Sequence, residues 1–348
     1  MAASATALPA STAVAPYDAL LVLSFGGPEG PSDVMPFLER VTGGRGVPPE
    51  RLAAVAEHYQ LFGGVSPINA ANRSLVAAVS EELTSHGPAL PVYWGNRNWH
   101  PLLADTLQQM ADDGVGRAAC FVTSAYGGYS SCRQYLDDIA AARTAVGAGA
   151  PVVDKLRPFF DHPGFISPFV DATAAALQSL GPAAAGAHLV FCAHSIPVAQ
   201  SDVTPYAAQV ASACGLVASQ LGTALPWTLA WQSRSGPPTQ PWLQPDLDAH
   251  LASLASSSSP PTGVVLVPIG FVADHMEVVY DLDVVAASQA ASLGLPLARA
   301  ATPGVAPAFV AMIRSLIVER LSVGAGLDCG EGCCAYQPAR RPDAQSPG

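Results

Sequence analysis

Short apolar runs that stop at Gly, Pro, Ser or His recur along the chain, at residues 19–24, 92–95, 118–122, 188–192, 228–231 and 264–268. Each is apolar at consecutive positions rather than alternate ones, the pattern of a strand buried on both faces and so of a parallel sheet. Helical periodicity fills the stretches between them, at 51–59, 72–85, 102–113, 134–146, 167–180 and 206–221, and a further helix is predicted over 307–321. Strand and helix therefore alternate, as in α/β units. Pro/Gly-bearing stretches at 157–164, 181–186 and 257–262 mark candidate boundaries. The predicted fold class is α/β with two Rossmann-like lobes, each a parallel sheet flanked by helices, and a cleft between them. The expected organisation is a disordered leader at 1–16, a first lobe at 17–160 completed by a C-terminal helix at 302–323, a second lobe at 161–301 and a cysteine-bearing tail at 324–348.

A chain of 348 residues, 50% hydrophobic and 12% charged, can build two such cores and is not a disordered polymer. A formal net charge of −11, with Lys155 as the only lysine, argues against nucleic acid as a partner, because no basic stripe exists to displace phosphate counterions. No window approaches the ~18 uncharged apolar residues of a transmembrane helix. Residues 1–16 lack the basic and apolar regions of a secretory signal, so a cytoplasmic location is expected. In that compartment the seven cysteines do not read as a disulfide scaffold. Cys120, Cys132, Cys192 and Cys214 are scattered, whereas Cys329, Cys333 and Cys334 crowd the tail and suggest ligation.

Two strand-to-loop junctions carry chemistry. The first, Leu189-Val190-Phe191-Cys192-Ala193-His194-Ser195-Ile196-Pro197, places His194 at the carboxyl end of a strand, where an open parallel sheet presents its ligand crevice. Taken singly, such a histidine is more often satisfied by neighbouring backbone than catalytic. The second leaves a strand and enters a helix through Gly270-Phe271-Val272-Ala273-Asp274-His275-Met276-Glu277. Glu277 and Asp281 are spaced i, i+4 on one helix face, with Asp274 a turn earlier. These carboxylates are either an acidic first turn favoured by the helix dipole or a path for a metal ion or proton.

Together, imidazole and carboxylates suit insertion of a divalent metal into a tetrapyrrole, which needs a borderline-metal ligand and acceptors for two pyrrole protons. Such a macrocycle also needs aromatic walls, for which Phe25, Tyr59, Tyr126, Tyr135, Trp231 and Trp242 are candidates. Five ordered motifs carry a resemblance to the ferrochelatase family over residues 17–321: Leu23-Ser24-Phe25-Gly26-Gly27-Pro28; Phe62-Gly63-Gly64-Val65-Ser66-Pro67; Ala193-His194-Ser195-Ile196-Pro197; Trp231-Gln232-Ser233 with Pro241-Trp242-Leu243; and Gly270 to His275 with Glu277. The resemblance implies a chelatase-type fold and a lyase that inserts Fe2+ as substrate, with His194 and Glu277 as the catalytic, metal-handling pair. It implies porphyrin contacts at Ser66 and Tyr135, to which the residue types add Phe25 and Tyr126 as candidates.

The cysteine-bearing tail, the Ser66 and Tyr135 matches and the alanine-rich, lysine-poor composition resemble the actinobacterial branch, which implies coproporphyrin III as substrate and coproheme as product. Protoporphyrin IX, a cobalt chelatase of the same class, and a non-catalytic haem or iron–sulfur sensor are the alternatives. Phe25 stands where some relatives carry an iron-ligating tyrosine, and Val285 where some carry a third carboxylate, so a relay here is expected to end near Asp281. The resemblance also implies a [2Fe-2S] cluster on Cys132, Cys329, Cys333 and Cys334; spacing alone allows structural Zn2+ on the same four thiols. Arg45, Arg97 and Arg133 are candidate partners for substrate propionates. Implied partners beyond substrate and haem product are neighbouring enzymes of haem biosynthesis, met transiently.

Overall fold

The computed structural model describes residues 16–43, 46–235, 239–323 and 332–336. The first half runs β1 (Ala19–Ser24), α1 (Val34–Thr42), α2 (Pro49–Gln60), α3 (Ile68–His86), β2 (Val92–Asn96), α4 (Leu103–Asp112), β3 (Arg117–Val122), α5 (Gln134–Val146) and β4 (Val152–Lys155). The second runs α6 (Pro163–Ser179), β5 (Ala187–His194), α7 (Val198–Ser201), α8 (Tyr206–Gln220), β6 (Trp227–Gln232), α9 (Leu247–Ala255), β7 (Gly263–Val267), α10 (Met276–Val278), a π-helical segment (Val279–Ala286), α11 (Ala287–Ser292), β8 (Leu297–Arg299) and α12 (Pro307–Val323).

All pairings are parallel, as the unbroken apolar runs require. Strand order is β2-β1-β3-β4 in one sheet and β6-β5-β7-β8 in the other, the same topology twice. Register places Val22 beside Trp94 and Phe121 in the first sheet, and Phe191 beside Leu229 and Val267 in the second. The two-lobed α/β chelatase-type architecture expected from the sequence is therefore present.

Alternation decides which helix each side chain meets. Leu21, Leu23, Cys120 and Val122 face outward onto Leu107 and Met110 of α4 and Ile139 of α5. On the second sheet Val190, Cys192 and Leu266 face Leu251 of α9 and Leu282 of the π-helical segment. The opposite faces of both sheets share one core: Leu20, Val22 and Phe121 join Leu189, Phe191 and Val265 through helices α3, α6, α8 and α12. α12 lies on α3 and α6, and its Arg314 Nε bonds Glu82 Oε1 at 2.8 Å.

β4 and β8 are the two edge strands that the apolar pattern does not announce. Asp154 and Lys155 interrupt one and Arg299 the other, because an edge strand is half-solvated and tolerates charge. The expected leader lies almost wholly outside the described residues, as does most of the expected tail.

Candidate active site

In each sheet the chain leaves its first strand toward one neighbour and returns on the other side. Loops after β5 and β7 therefore diverge, and the crevice between their carboxyl ends is the natural ligand position. His194 is the last residue of β5, and the chain from β7 to α10 carries Glu277 to the same place. Gly270 makes that approach possible: a Cβ there would lie 2.8 Å from Ala193 Cα and 2.9 Å from Ala193 Cβ, while its own N–H donates to Cys192 O at 3.1 Å.

His194 Nε2 stands 3.8 Å from Glu277 Oε1. Its Nδ1 is 2.6 Å from Ser195 O, and a carbonyl only accepts, so Nδ1 carries a proton and Nε2 is the ring nitrogen that faces the carboxylate. Tyr206 of α8 donates from its hydroxyl to His194 O at 3.0 Å, and Ser195 N–H to Gln232 O at 2.8 Å. Glu277 starts its helix with His275 as N-cap: His275 Nδ1 accepts from Glu277 N–H at 3.2 Å. Burial lowers the His275 pKa and keeps the ring neutral, as that acceptor role demands.

Behind this pair sits Asp281. Ser233, at a left-handed φ of 60°, donates its hydroxyl to Asp281 Oδ2, and Gln232 Nε2 lies 3.4 Å from both Asp281 Oδ2 and Glu277 O. Burial pushes the Asp281 carboxyl up to about 6, against the lowering effect of the Ser233 hydroxyl and with the help of the Glu277 charge. Asp274 does not join this face. It is paired with Arg299 at 3.0 Å and accepts from Thr302 at 3.1 Å, because the residue precedes the helix instead of occupying its first turn.

The first lobe closes over the acids from the other side. Tyr59 of α2 is buried with Phe37 and Met276, and both it and Tyr206 have their hydroxyl pKa raised by burial first and by the Glu277 charge second. His58 stacks on Tyr280 with centroids 3.9 Å apart and planes at 13°. At the carboxyl edge of the first sheet, the Arg97 guanidinium lies 4.6 Å over Tyr135 and 6.0 Å from Phe25, and is ion-paired with Asp138. Phe25 is more than a third exposed, whereas Tyr135 is buried under Arg97. Ser66 is buried too, its N–H on Pro28 O at 2.9 Å, in a loop that Gly64 starts at φ 74° with no room for a Cβ beside Pro31.

Tyr126 is not brought to the cleft: it is 1% exposed and donates to Ile269 O at 2.7 Å, so it is part of the joint between the lobes. Gly127 and Gly128, which follow it, leave room at that joint: a Cβ on Gly127 would lie 2.9 Å from Pro205 Cγ, and one on Gly128 3.5 Å from Tyr206 Cβ. Trp231 and Trp242 are likewise buried. Arg133 is ion-paired with Asp137, and Arg45 lies outside the described residues. Gln232, Ser233 and Tyr206 are the site residues that the sequence reading did not single out as functional.

Among the described residues, no group of three or more His, Cys, Asp or Glu is placed to hold a metal ion, and Cys329 lies outside them. Cys132 is buried in the turn before α5, and Cys333 Sγ lies 3.6 Å from Cys334 Sγ. That spacing is too long for a disulfide and close to the edge of a thiolate tetrahedron, about 3.8 Å for metal–sulfur bonds of ~2.3 Å. The short tail segment packs on the turn before α5 and on α7: Tyr336 lies on Tyr129 with centroids 4.9 Å apart, and Gln200 Nε2 donates to Ala335 O at 3.2 Å, but Cys132, Cys333 and Cys334 do not converge on one point. Cys120, Cys192 and Cys214 are buried core thiols whose pKa burial raises, that of Cys120 to about 12.

Solved structures share this architecture. The sirohydrochlorin chelatase SirB from Bacillus subtilis subspecies spizizenii, in complex with cobalt, superposes with a TM-score of 0.51 over 88% of this chain and 97% of its own at 10% identity, a likeness of fold alone. Sequence likeness is far closer. A coproporphyrin III ferrochelatase of Nocardia farcinica is 52% identical, covering 94% of this chain and 98% of its own length. A coproporphyrin III ferrochelatase of Mycobacterium avium is 56% identical over 87% and 88%, and a ferrochelatase of Rhodopirellula baltica 48% identical over 94% and 96%. The Ferrochelatase family profile matches residues 17–321, a span that holds both sheets, the crevice and the His194–Glu277 pair, and the chain belongs to that family.

Proposed function

We propose that this ferrochelatase inserts Fe2+ into coproporphyrin III to give coproheme, with His194 and Glu277 as the reacting pair. The observation that carries the reading is the 3.8 Å approach of an imidazole nitrogen and a carboxylate at a crevice between two strand ends. Insertion exchanges two pyrrole protons for one divalent cation. Held by Ser195 O, the imidazole presents Nε2 either to the incoming Fe2+ or to a departing pyrrole proton. Glu277 is half-exposed and escorts the ion, while Asp281, poised near 6, takes up protons within the working pH range. Phe25, Tyr135 and Ser66 belong on the porphyrin side of the first lobe in this reading; Tyr126 supports the wall from behind.

Coproporphyrin III is favoured because relatives at half identity, those of Nocardia and Mycobacterium among them, carry that name. The Rhodopirellula relative, named only ferrochelatase, keeps protoporphyrin IX as the second reading. Anaerobic rates with Fe2+ and each porphyrin side by side decide it: a coproporphyrin III preference in kcat/KM is expected, and a protoporphyrin IX preference reverses the assignment. Both reactants are water-borne, so the reaction is assigned to the cytoplasm, with haem-pathway enzymes as transient partners. The working division is a first lobe of 17–160 completed by 302–323 and a second of 161–301.

A [2Fe-2S] cluster on Cys132, Cys329, Cys333 and Cys334 is part of the proposal, supported by the 3.6 Å thiol pair and by Tyr336 packing on Tyr129, three residues before Cys132 in the chain. When bound, it would staple the tail to the first lobe. Its test is spectroscopic: visible absorption that bleaches on reduction and is lost in Cys132→Ser is expected, and a colourless protein holding one zinc assigns the thiols to Zn2+.

A further inference from the structure

Asn69 and Asn96 are fully buried at the carboxyl edge of the first sheet, although each carries a primary amide. All their amide hydrogens are used. Asn69 Nδ2 donates to Gly27 O and His100 O, both at 3.2 Å, and Asn96 Nδ2 to His100 O at 3.1 Å and Asn69 Oδ1 at 3.3 Å. Asn96 Oδ1 accepts from the Trp94 indole at 3.0 Å. These partners fix both orientations, because a backbone carbonyl only accepts and an indole only donates. Apolar side chains would fill the same volume but leave Gly27 O and His100 O without these donors, so the pair is a joint and not mere packing.

What the joint connects gives its purpose. Asn69 stands in the first turn of α3, just past Ser66; Asn96 ends β2, just before Arg97; and Gly27 lies in the loop after β1 that presents Phe25. Gly26 turns that loop at φ 80° over Asn96, whose Cβ would lie 2.8 Å from a Cβ at position 26. Its carbonyls are held one after another: Ser24 O accepts from Arg97 N–H, Phe25 O from Asn98 N–H, Gly27 O from Asn69 and Pro28 O from Ser66 N–H. The amino edge of this sheet is tied differently, by Asp18 Oδ2 accepting from Gly116 and Arg117 N–H at the exposed surface. Buried amides belong to the cleft end.

The second lobe repeats the arrangement. β2 and β6 are equivalent strands in the duplicated order, and each closes on a buried amide level with the last residue of its central neighbour, Asn96 beside Ser24 and Gln232 beside His194. Gln232 braces the segment of Glu277 and Asp281. We propose that Asn69 and Asn96 are positioning residues for the porphyrin: they lock the 25–27 turn to the Ser66 and Arg97 loops and so fix the first-lobe wall on which the macrocycle lies. They touch no substrate themselves, and the proposal rests on the reading that Phe25 and Ser66 face the porphyrin.

The test measures the Kd of coproporphyrin III from its own emission, and KM for porphyrin and for Fe2+ from anaerobic turnover, on the full chain. Asn96→Ala is expected to raise the porphyrin Kd and KM by roughly 10–100-fold, the scale on which an ångström of misplacement acts, with the KM for Fe2+ unchanged. Because the clamp works through Phe25, adding Asn96→Ala to Phe25→Ala should cost less than adding it to wild type. A folded Asn96→Ala protein that keeps wild-type porphyrin affinity, raises both KM values alike, or adds its full cost to Phe25→Ala overturns the clamp. If that variant does not fold, Trp94→Phe removes a single donor and must give the same split at roughly 2–10-fold, the worth of one hydrogen bond. Porphyrin affinity indifferent to Phe25→Ala and Ser66→Ala overturns the wall assignment and the clamp with it; affinity lost in those two variants but kept in Asn96→Ala and Trp94→Phe overturns the clamp alone.

Discussion

His194 and Glu277 have side chains 32% and 50% exposed, so replacing them opens no core. His194→Ala is expected to lower kcat by about 10²–10⁴, the usual contribution of a positioned acid–base group, at an unshifted calorimetric midpoint; near-normal turnover would end the assignment. Gly270→Ala should behave oppositely. Its Cβ meets Ala193 backbone at 2.8 Å, which cannot step aside, and a loss of about 1–3 kcal/mol in urea unfolding is expected together with lost activity. His188 and His250, at the far end of the second sheet, contribute to acid sensitivity alongside His162 and His275, which burial lowers as well. Burial lowers the first pair, and His188 is lowered further by the His250 charge. Above the ordinary value of about 6.5 both are neutral in either state and stability is full; below it the unfolded chain takes protons that the folded chain resists, so stability falls with pH. The urea midpoint is expected to drop between about pH 7.5 and 5.5, and less steeply in His188→Gln. Strand ends announced His194 and Glu277 because apolar runs stop there. Gln232 stood in a motif that carried the resemblance but without a role, and Tyr206 gave no signal, since an amide closing a strand and a tyrosine opening a helix read as ordinary packing.

At the scale of elements, legibility followed burial. The four central strands, β1, β3, β5 and β7, are written as buried apolar runs, and the edge strands β2 and β6 still carry enough of the pattern to be read, while the edge strands β4 and β8 are short and written partly in charge. The periodicity that predicted a helix from Glu277 to Asp281 holds, but a pattern of apolar positions cannot distinguish α from π winding, nor place the helix start at His275 and so exclude Asp274. β4 also holds a charge that the core depends on. Asp154 bonds Arg117 at 2.6 Å on β3 and lies 3.9 Å from Arg320 of α12, whose side chain is 3% exposed. Asp154→Ala leaves the buried guanidinium without that countercharge, and a loss of about 3 kcal/mol is expected by chemical denaturation. Asp154→Ala together with Arg320→Leu should recover part of it; no recovery would mean that the cost comes from Arg117 and the sheet edge instead.

The whole molecule reads as two lobes by topology and as one by packing. Each sheet turns one face to its own helices, but the other faces share a core in which Phe121 and Phe159, from the first half of the chain, meet Phe165 of α6 and Phe309 of α12. Ring centroids there are 5.1 Å for Phe121–Phe159, 5.5 Å for Phe159–Phe165 and 6.0 Å for Phe121–Phe309. A first lobe cut at residue 160 would expose this face, having lost the helices that cover it, so it should not fold alone although its sheet is complete. The same contacts couple the lobes thermodynamically. Phe309→Ala is expected to cost about 3–5 kcal/mol, and, because the ring sits in the core that both sheets share, amides of β1 and β5 should lose exchange protection by equal amounts. Protection lost in β1 alone would mean two independently stable domains. A crevice carried by one cooperative unit keeps its walls in register, and a 3.8 Å gap between imidazole and carboxylate needs that: Glu277 reaches the cleft on a segment pinned by His58 and Tyr59 of the first lobe, while His194 ends a strand of the second. Loosening the shared core should therefore raise the KM for porphyrin at temperatures well below the unfolding midpoint, before any secondary structure is lost, and a Phe309→Ala enzyme with wild-type KM up to its melting point would show that the lobes hold the cleft without it.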